Sequence, residues 1–160
     1  MTPEPKIIEH GFAPILAKKP TVLVLGTLPS VKSFQQNQYY GNPQNAFWLV
    51  MSVLFDFDLS ESYQKRCTLL TENRIAVWDV IASCYRPGSL DSKIDQSTLK
   101  ANEFSALLSQ HPTIELITFN GQAASKLFSK FVELNDWKGN FLVLPSTSPA
   151  NAAMKKTTKL

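Results

Sequence analysis

Apolar residues fall along this 160-residue chain in four short, nearly continuous runs. They are Thr21–Gly26 (TVLVLG), Arg74–Ile81 (RIAVWDVI), Ile114–Asn120 (IELITFN) and Asn140–Pro145 (NFLVLP). Runs of this length and composition predict strands covered on both faces. Between them the apolar spacing becomes helical. Phe47, Val50, Met51 and Leu54 mark a helix over Ala46–Phe55, and Tyr63, Cys67 and Leu70 mark another over Ser60–Leu70. Leu99–Leu108 and Gln122–Phe131 share that period, the latter through Ala124, Leu127, Phe128 and Phe131. Strands alternating with helices predict an α/β fold, a three-layer α/β/α sandwich around a central, mainly parallel four-stranded sheet. No repeat, low-complexity tract or linker divides the chain. One domain is expected over residues 1–160, with 1–20 as an N-terminal extension and the core over about 21–155.

In open α/β sheets, ligands gather at the carboxyl ends of the strands. The polar, Gly- and Pro-marked segments fall there: Gly26-Thr27-Leu28-Pro29-Ser30, Asp79 with the stretch to Asp91, Asn120-Gly121, and Pro145-Ser146-Thr147-Ser148-Pro149. Asn42-Pro43 reads as a helix start, with Asn42 as the cap and Pro43 in the first helical position, so Asn45 falls in the first turn. A carboxamide fixed there can hold a water through one donor and one acceptor. It can equally satisfy a neighbouring loop, and spacing does not choose. Tyr39 and Tyr40 stand at the same loop mouth, suited either to stacking on a nucleobase or to packing the loop. Ser148-Pro149 repeats the cap-plus-proline pattern. The hydroxyls of Ser146, Thr147 and Ser148 suit a phosphate or simply cap a helix. Asp79 is a candidate acid or base, and also a plausible turn cap. Arg86 and Ser89, in the polar stretch beyond it, are candidate contacts to DNA or base.

Net charge of +3 and a pI of 8.9 permit a nucleic-acid partner without requiring one. The one local concentration of basic residues, Lys155, Lys156 and Lys159, reads more readily as a solvated helix end. No apolar stretch approaches the ~18 residues that span a membrane. Met1–His10 has no apolar run behind a basic start, so a cytoplasmic protein without membrane association is expected. Cys67 and Cys84 form no CxxC pair and read as small core residues, while His10 and His111 lie far apart. No metal or other cofactor is expected from such a set. No phosphate-binding glycine loop and no Gly-x-Ser-x-Gly elbow occurs.

Gly26-Thr27-Leu28-Pro29-Ser30, Gln38-Tyr39-Tyr40-Gly41-Asn42-Pro43-Gln44-Asn45-Ala46-Phe47-Trp48 and Leu144-Pro145-Ser146-Thr147-Ser148-Pro149-Ala150-Asn151 resemble the active-site motif regions of the uracil-DNA-glycosylase superfamily. Trp78-Asp79-Val80-Ile81 and Gly88-Ser89-Leu90-Asp91 are similar to its DNA-deoxyinosine, or hypoxanthine-DNA, glycosylase branch. The resemblance runs from about Thr21 to Asn151. It implies a monofunctional repair enzyme, acting as a monomer on DNA, that hydrolyses the N-glycosidic bond of a flipped-out deaminated base, foremost hypoxanthine. Asn45 matches the Asn before the Phe-Trp pair and is implied as the catalytic, water-positioning residue. Leu28 stands where the wider superfamily commonly has a polar water-activating residue. Tyr40 aligns with the aromatic that stacks on the base. Gly26, Thr27, Leu28, Pro29, Tyr40, Phe47 and Asn120 are implied as base-binding. Ser30, Arg86, Ser89, Ser146, Thr147, Ser148 and Asn151 are implied as DNA-binding, with Asp79 as the acid/base candidate. Leu144 and Asn42 depart from the pattern, which often has His or Asn at the first and His at the second. Other readings are a uracil-, mismatch- or ethenobase-specific glycosylase, a catalytically weak DNA-binding member of the superfamily, and a nucleoside hydrolase. The last lacks the usual carboxylate-rich site, since only Asp79 and Asp91 are near.

Overall fold

The structure is a computed structural model that describes residues 6–149. Its centre is a sheet of four parallel strands in the order β3 (Ile75–Asp79), β2 (Val22–Gly26), β6 (Leu116–Asn120), β7 (Asn140–Leu144). Parallel neighbours need crossover connections, and helices supply them. α1 (Val31–Gln36), α2 (Phe47–Phe55) and α3 (Tyr63–Glu72) join β2 to β3, while α5 (Gln122–Phe131) joins β6 to β7. Side chains along β2 alternate between two cores. Leu23 and Leu25 pack with Leu107 and Leu108 of α4 (Phe104–Gln110) and with Ala124, Leu127 and Phe128 of α5. Val24 faces the other way, with Phe47 and Trp48 of α2 and Leu70 of α3. Helices therefore cover both faces, and the predicted α/β/α layering with a parallel four-stranded sheet is the observed one.

A second, three-stranded antiparallel sheet adjoins it, in the order β1 (Glu9–His10), β4 (Ile81–Tyr85), β5 (Asp95–Ala101). Hydrophobic patterning did not predict it, for three reasons. First, the run Arg74–Ile81 is not one strand. The Val80 and Ile81 amides donate to Gly26 and Thr27 carbonyls, which ends β3 at Asp79 and sends the chain into β4. Second, the expected helix over Leu99–Leu108 divides. Its first part pairs with β4 as β5, and only Phe104–Gln110 is helical. The Asn102 side chain bonds the Asp79 carbonyl at 2.8 Å and marks that break. Third, residues expected as an extension are structural: β1 pairs with β4, and Ile15 bridges to Val77. β7 departs from expectation too, because its residues are exposed at the sheet edge among the described residues.

Gly121, where β6 turns into α5, has φ of 103°, a conformation L side chains rarely adopt. A Cβ there would sit 2.9 Å from Ser146 Cβ. Gly121→Ala is expected to destabilise the fold by about 1–3 kcal/mol. Urea unfolding should show a lower midpoint with an unchanged slope.

Candidate active site

A cavity of about 470 Å³ opens at the carboxyl ends of the parallel strands. Gly26–Ser30, Tyr40, Asn45, Asp79, Ser89, Asn120 and Ser146–Ser148 all contribute to its wall. Thirteen of the sixteen residues singled out from sequence thus converge, although they span most of the chain. Phe47 and Arg86 do not reach the cavity, and Asn151 lies outside the described residues.

The floor is built around a missing side chain. Gly26 ends β2 directly opposite Asp79 of β3. A Cβ on Gly26 would lie 2.7 Å from Asp79 Oδ1 and 3.0 Å from the Tyr40 hydroxyl. Glycine is what lets both groups converge there. Asp79 is buried, and among the described residues neither its Oδ2 nor the Tyr40 hydroxyl has a hydrogen-bond partner. Burial pushes the Asp79 carboxyl up to about 7, the nearby Asp91 adds to the rise, and the Arg86 guanidinium opposes it. Burial likewise raises the Tyr40 phenol, with Asp79 and Asp91 reinforcing the shift and Asn120 opposing it. Tyr40 adopts φ of 53°, unusual for an aromatic residue. Its ring stacks on Phe47, with centroids 4.0 Å apart and planes 21° from parallel. Phe47 is only 1% exposed, so it backs Tyr40 and presents no surface of its own to a ligand. Tyr39 is a packing residue: its hydroxyl donates to the Ala13 carbonyl at 2.9 Å.

Asn45 caps α2. The helix begins at Phe47, four residues later than an Asn42 cap and Pro43 start predict. Asn42 Oδ1 accepts from the Gln44 amide at 3.0 Å, closing a short turn of its own. Asn45 Oδ1 then accepts from the Phe47 amide at 2.9 Å. Two Asn turns thus follow one another, and the second hands the chain to the apolar run. That bond also identifies the Asn45 oxygen and fixes its orientation at the cavity wall.

The remaining loops are laced to this frame. The Asn120 carboxamide donates to Thr147 Oγ1 at 2.8 Å and accepts from the Thr147 amide at 2.9 Å. The Thr147 carbonyl accepts from the Ala46 amide at 2.9 Å. Thr147 is therefore a brace between β6 and the start of α2. Ser146 Oγ accepts from the Ser148 amide at 3.1 Å. Ser30 caps α1 by accepting from the Ser33 amide at 3.2 Å. Ser89 Oγ accepts from the Val31 amide at 2.8 Å, and Thr27 Oγ1 donates to Asp91 Oδ1 at 2.7 Å. Arg86 is 3% exposed and bonds the carbonyls of Leu28, Pro29 and Gly88, so it is a buried scaffold residue and no surface contact. Sequence reading missed Lys32 and Gln35, which line the cavity from α1. Only Val31 and Phe34 are apolar in that six-residue helix, too few to show a period. The Ser30-x-x-Ser33 cap was the available signal. Among the described residues no group of three or more His, Cys, Asp and Glu side chains is placed to hold a metal. No helix among them is long and apolar enough to cross a membrane.

The buried carboxyl yields a signed prediction. Asp79's folded value, about 7, exceeds the ordinary one of 3.8. The folded state therefore holds its proton more tightly, and stability falls as pH rises between those values. Relative to Asp79→Asn, the wild type should lose about 2 kcal/mol or more between pH 4 and pH 8. Urea midpoints measured at both pH values check this. Parallel profiles for the two proteins would contradict it. Gly26→Ala should collide with Asp79 and Tyr40 and abolish any activity the cavity supports, measurable beside a retained or modestly lowered melting temperature.

Comparison with known proteins places nearly the whole chain in one family. The family model described as "Uracil DNA glycosylase superfamily" matches residues 13–160. A hypoxanthine DNA glycosylase of Methanosarcina acetivorans is 37% identical over 151 residues, covering 94% of this chain and 92% of that one. One from Methanosarcina barkeri is 33% identical over 152 residues, covering 94% and 93%. A solution NMR structure from Methanosarcina acetivorans, described as a candidate uracil DNA glycosylase, superposes with a TM-score of 0.78 at 36% identity, covering 96% and 92%. The chain belongs to the uracil DNA glycosylase superfamily.

Proposed function

We propose that this protein is a monofunctional DNA glycosylase that releases hypoxanthine from DNA by hydrolysing its N-glycosidic bond. The observation that carries the reading is the convergence of Asn45, Tyr40 and the Thr27–Ser30 loop on one cavity at the sheet's carboxyl edge. The names of the two relatives, which span nearly the same length, support the choice of base.

The target nucleotide leaves the stack at a cost of a few kcal/mol, least for a weakly paired base such as hypoxanthine. Tyr40, backed by Phe47, offers its other face to the extruded base. Amides of the Thr27–Ser30 loop bond the base carbonyl and stabilise the electron pair that the base takes with it. Asn45, held by the Phe47 amide, keeps a second lone pair and two N–H groups with which to hold water against the sugar carbon. A neutral amide accepts no proton, so the rate rests on positioning. Asp79, titrating near neutrality, is the acid/base candidate beside the departing purine. The C1′–N9 bond breaks toward the base, water adds to C1′ and gives up one proton to solvent, and the base anion takes one proton from solvent. An abasic site remains.

Asn45→Ala should lower single-turnover release of hypoxanthine from a deoxyinosine oligonucleotide by about 100-fold or more. Affinity for the intact lesion DNA should change little. Release of uracil with none of hypoxanthine would refute the assigned base. Undiminished release by Asn45→Ala would refute the role of Asn45.

A further inference from the structure

Arg86 lies outside the cavity yet shapes its wall. Its guanidinium is buried just beyond β4. Nε donates to the Gly88 carbonyl at 3.0 Å, Nη1 to Leu28 at 3.5 Å, and Nη2 to Pro29. Glu9 Oε1 stands 4.0 Å from Nε. A planar fork that reaches several carbonyls at once is a property of arginine that lysine lacks.

The carbonyls before these two are also engaged. Gly26 accepts from the Val80 amide at 2.9 Å, and Thr27 from the Ile81 amide at 3.1 Å. Every carbonyl from Gly26 to Pro29 is thus bonded to the body of the protein. The peptides are trans, and a trans peptide points its N–H opposite its C=O. The amides of Thr27, Leu28 and Ser30 therefore face away from those partners, while Pro29 has none to offer. Among the described residues these three amides carry no hydrogen-bond partner, and their residues line the cavity. The Ser30 amide belongs to the very peptide whose carbonyl Arg86 holds.

We propose that Arg86 is a positioning residue for the leaving base: by gripping the Pro29 and Leu28 carbonyls, it presents the Ser30 amide to the negative charge that develops as the base departs. The inference rests on the glycosylase reading above. A lysine at this position has no rigid fork to fix both carbonyls in one plane, so the peptide gains freedom to rotate and the donor is weakened. The loss is felt most by a base that departs poorly, because such a base leans hardest on the donor.

The test compares Arg86→Lys with wild type in single-turnover assays. The substrates carry hypoxanthine or 8-azahypoxanthine, a better leaving group of nearly the same shape. Arg86→Lys is expected to slow hypoxanthine release by about 100-fold and 8-azahypoxanthine release by less than about 10-fold, the size of a lost oxyanion donor. Affinity for abasic-site DNA should be unchanged. Equal losses on both bases, or no loss, would overturn the proposal. If Arg86→Lys does not fold, Ser30→Pro carries the test. Ser30 has φ of −68°, which proline adopts, so this variant removes the amide hydrogen. Ser30→Ala is its control, since it loses the α1 cap but keeps that hydrogen. Selective loss on hypoxanthine in Ser30→Pro, absent from Ser30→Ala, supports the proposal, and matching behaviour of the two variants overturns it. Should uracil prove to be the base released, uracil and 5-fluorouracil replace the purine pair, so an error in the assigned base leaves the Arg86 result readable. Absence of any base release by the wild type would refute the glycosylase reading and this inference together.

Discussion

Parallel pairing of β2 with β3 sets Gly26 opposite Asp79, and the rest of the site is arranged around that opposition. Without a Cβ at Gly26, a carboxyl and a phenol enter the same small space at the end of the sheet. Among the described residues both arrive without hydrogen-bond partners, at Asp79 Oδ2 and the Tyr40 hydroxyl. A protein seldom leaves two such groups buried together, because each forfeits its bonds with water. The neighbouring core supplies the compensation: Phe47 stacks under Tyr40, and Arg86 tempers the carboxyl's rise.

Much of this was legible in the residue pattern. Continuous apolar runs located the four central strands, and the helical period of α5 gave Gln122–Phe131 with its observed bounds. The strand-end rule placed the polar segments in one cavity. Where patterning failed, tertiary contacts had overridden local preference. Asp95–Ala101 became a strand because β4 was there to pair with it, and a periodicity count cannot see that partner. The start of α2 falls at Phe47 because Asn42 closes a turn of its own on Gln44 and Asn45, the same residue type, then turns the chain onto Phe47.

The site residues divide differently from what their chemistry alone suggests. Hydroxyls and a guanidinium read as hands for a phosphate. In the fold, the Thr147 hydroxyl accepts from the Asn120 carboxamide, while Ser89 and Arg86 spend their polar groups on main-chain atoms of other segments. Thr147 ties β6 to the entry of α2, Ser89 ties the segment after β4 to α1, and Arg86 ties that segment to the Leu28–Pro29 turn. Loops that carry chemistry must be held by something, and here polar side chains hold them where no apolar core reaches. What marks Arg86 as a brace is its burial, 3% exposed, and burial is what a single sequence conceals.

The central claim is that a flipped base enters this cavity between Tyr40 and the Thr27–Ser30 loop. The most direct measurement is a crystal structure of the protein on duplex DNA whose target nucleotide is 2′-fluoroarabino-inosine, a linkage that resists cleavage. The account predicts the hypoxanthine ring against Tyr40, its carbonyl within hydrogen-bond reach of the loop amides, and a water on Asn45 facing C1′. A base left stacked in the duplex, or one seated in the protein away from Tyr40 and Asn45, would contradict it.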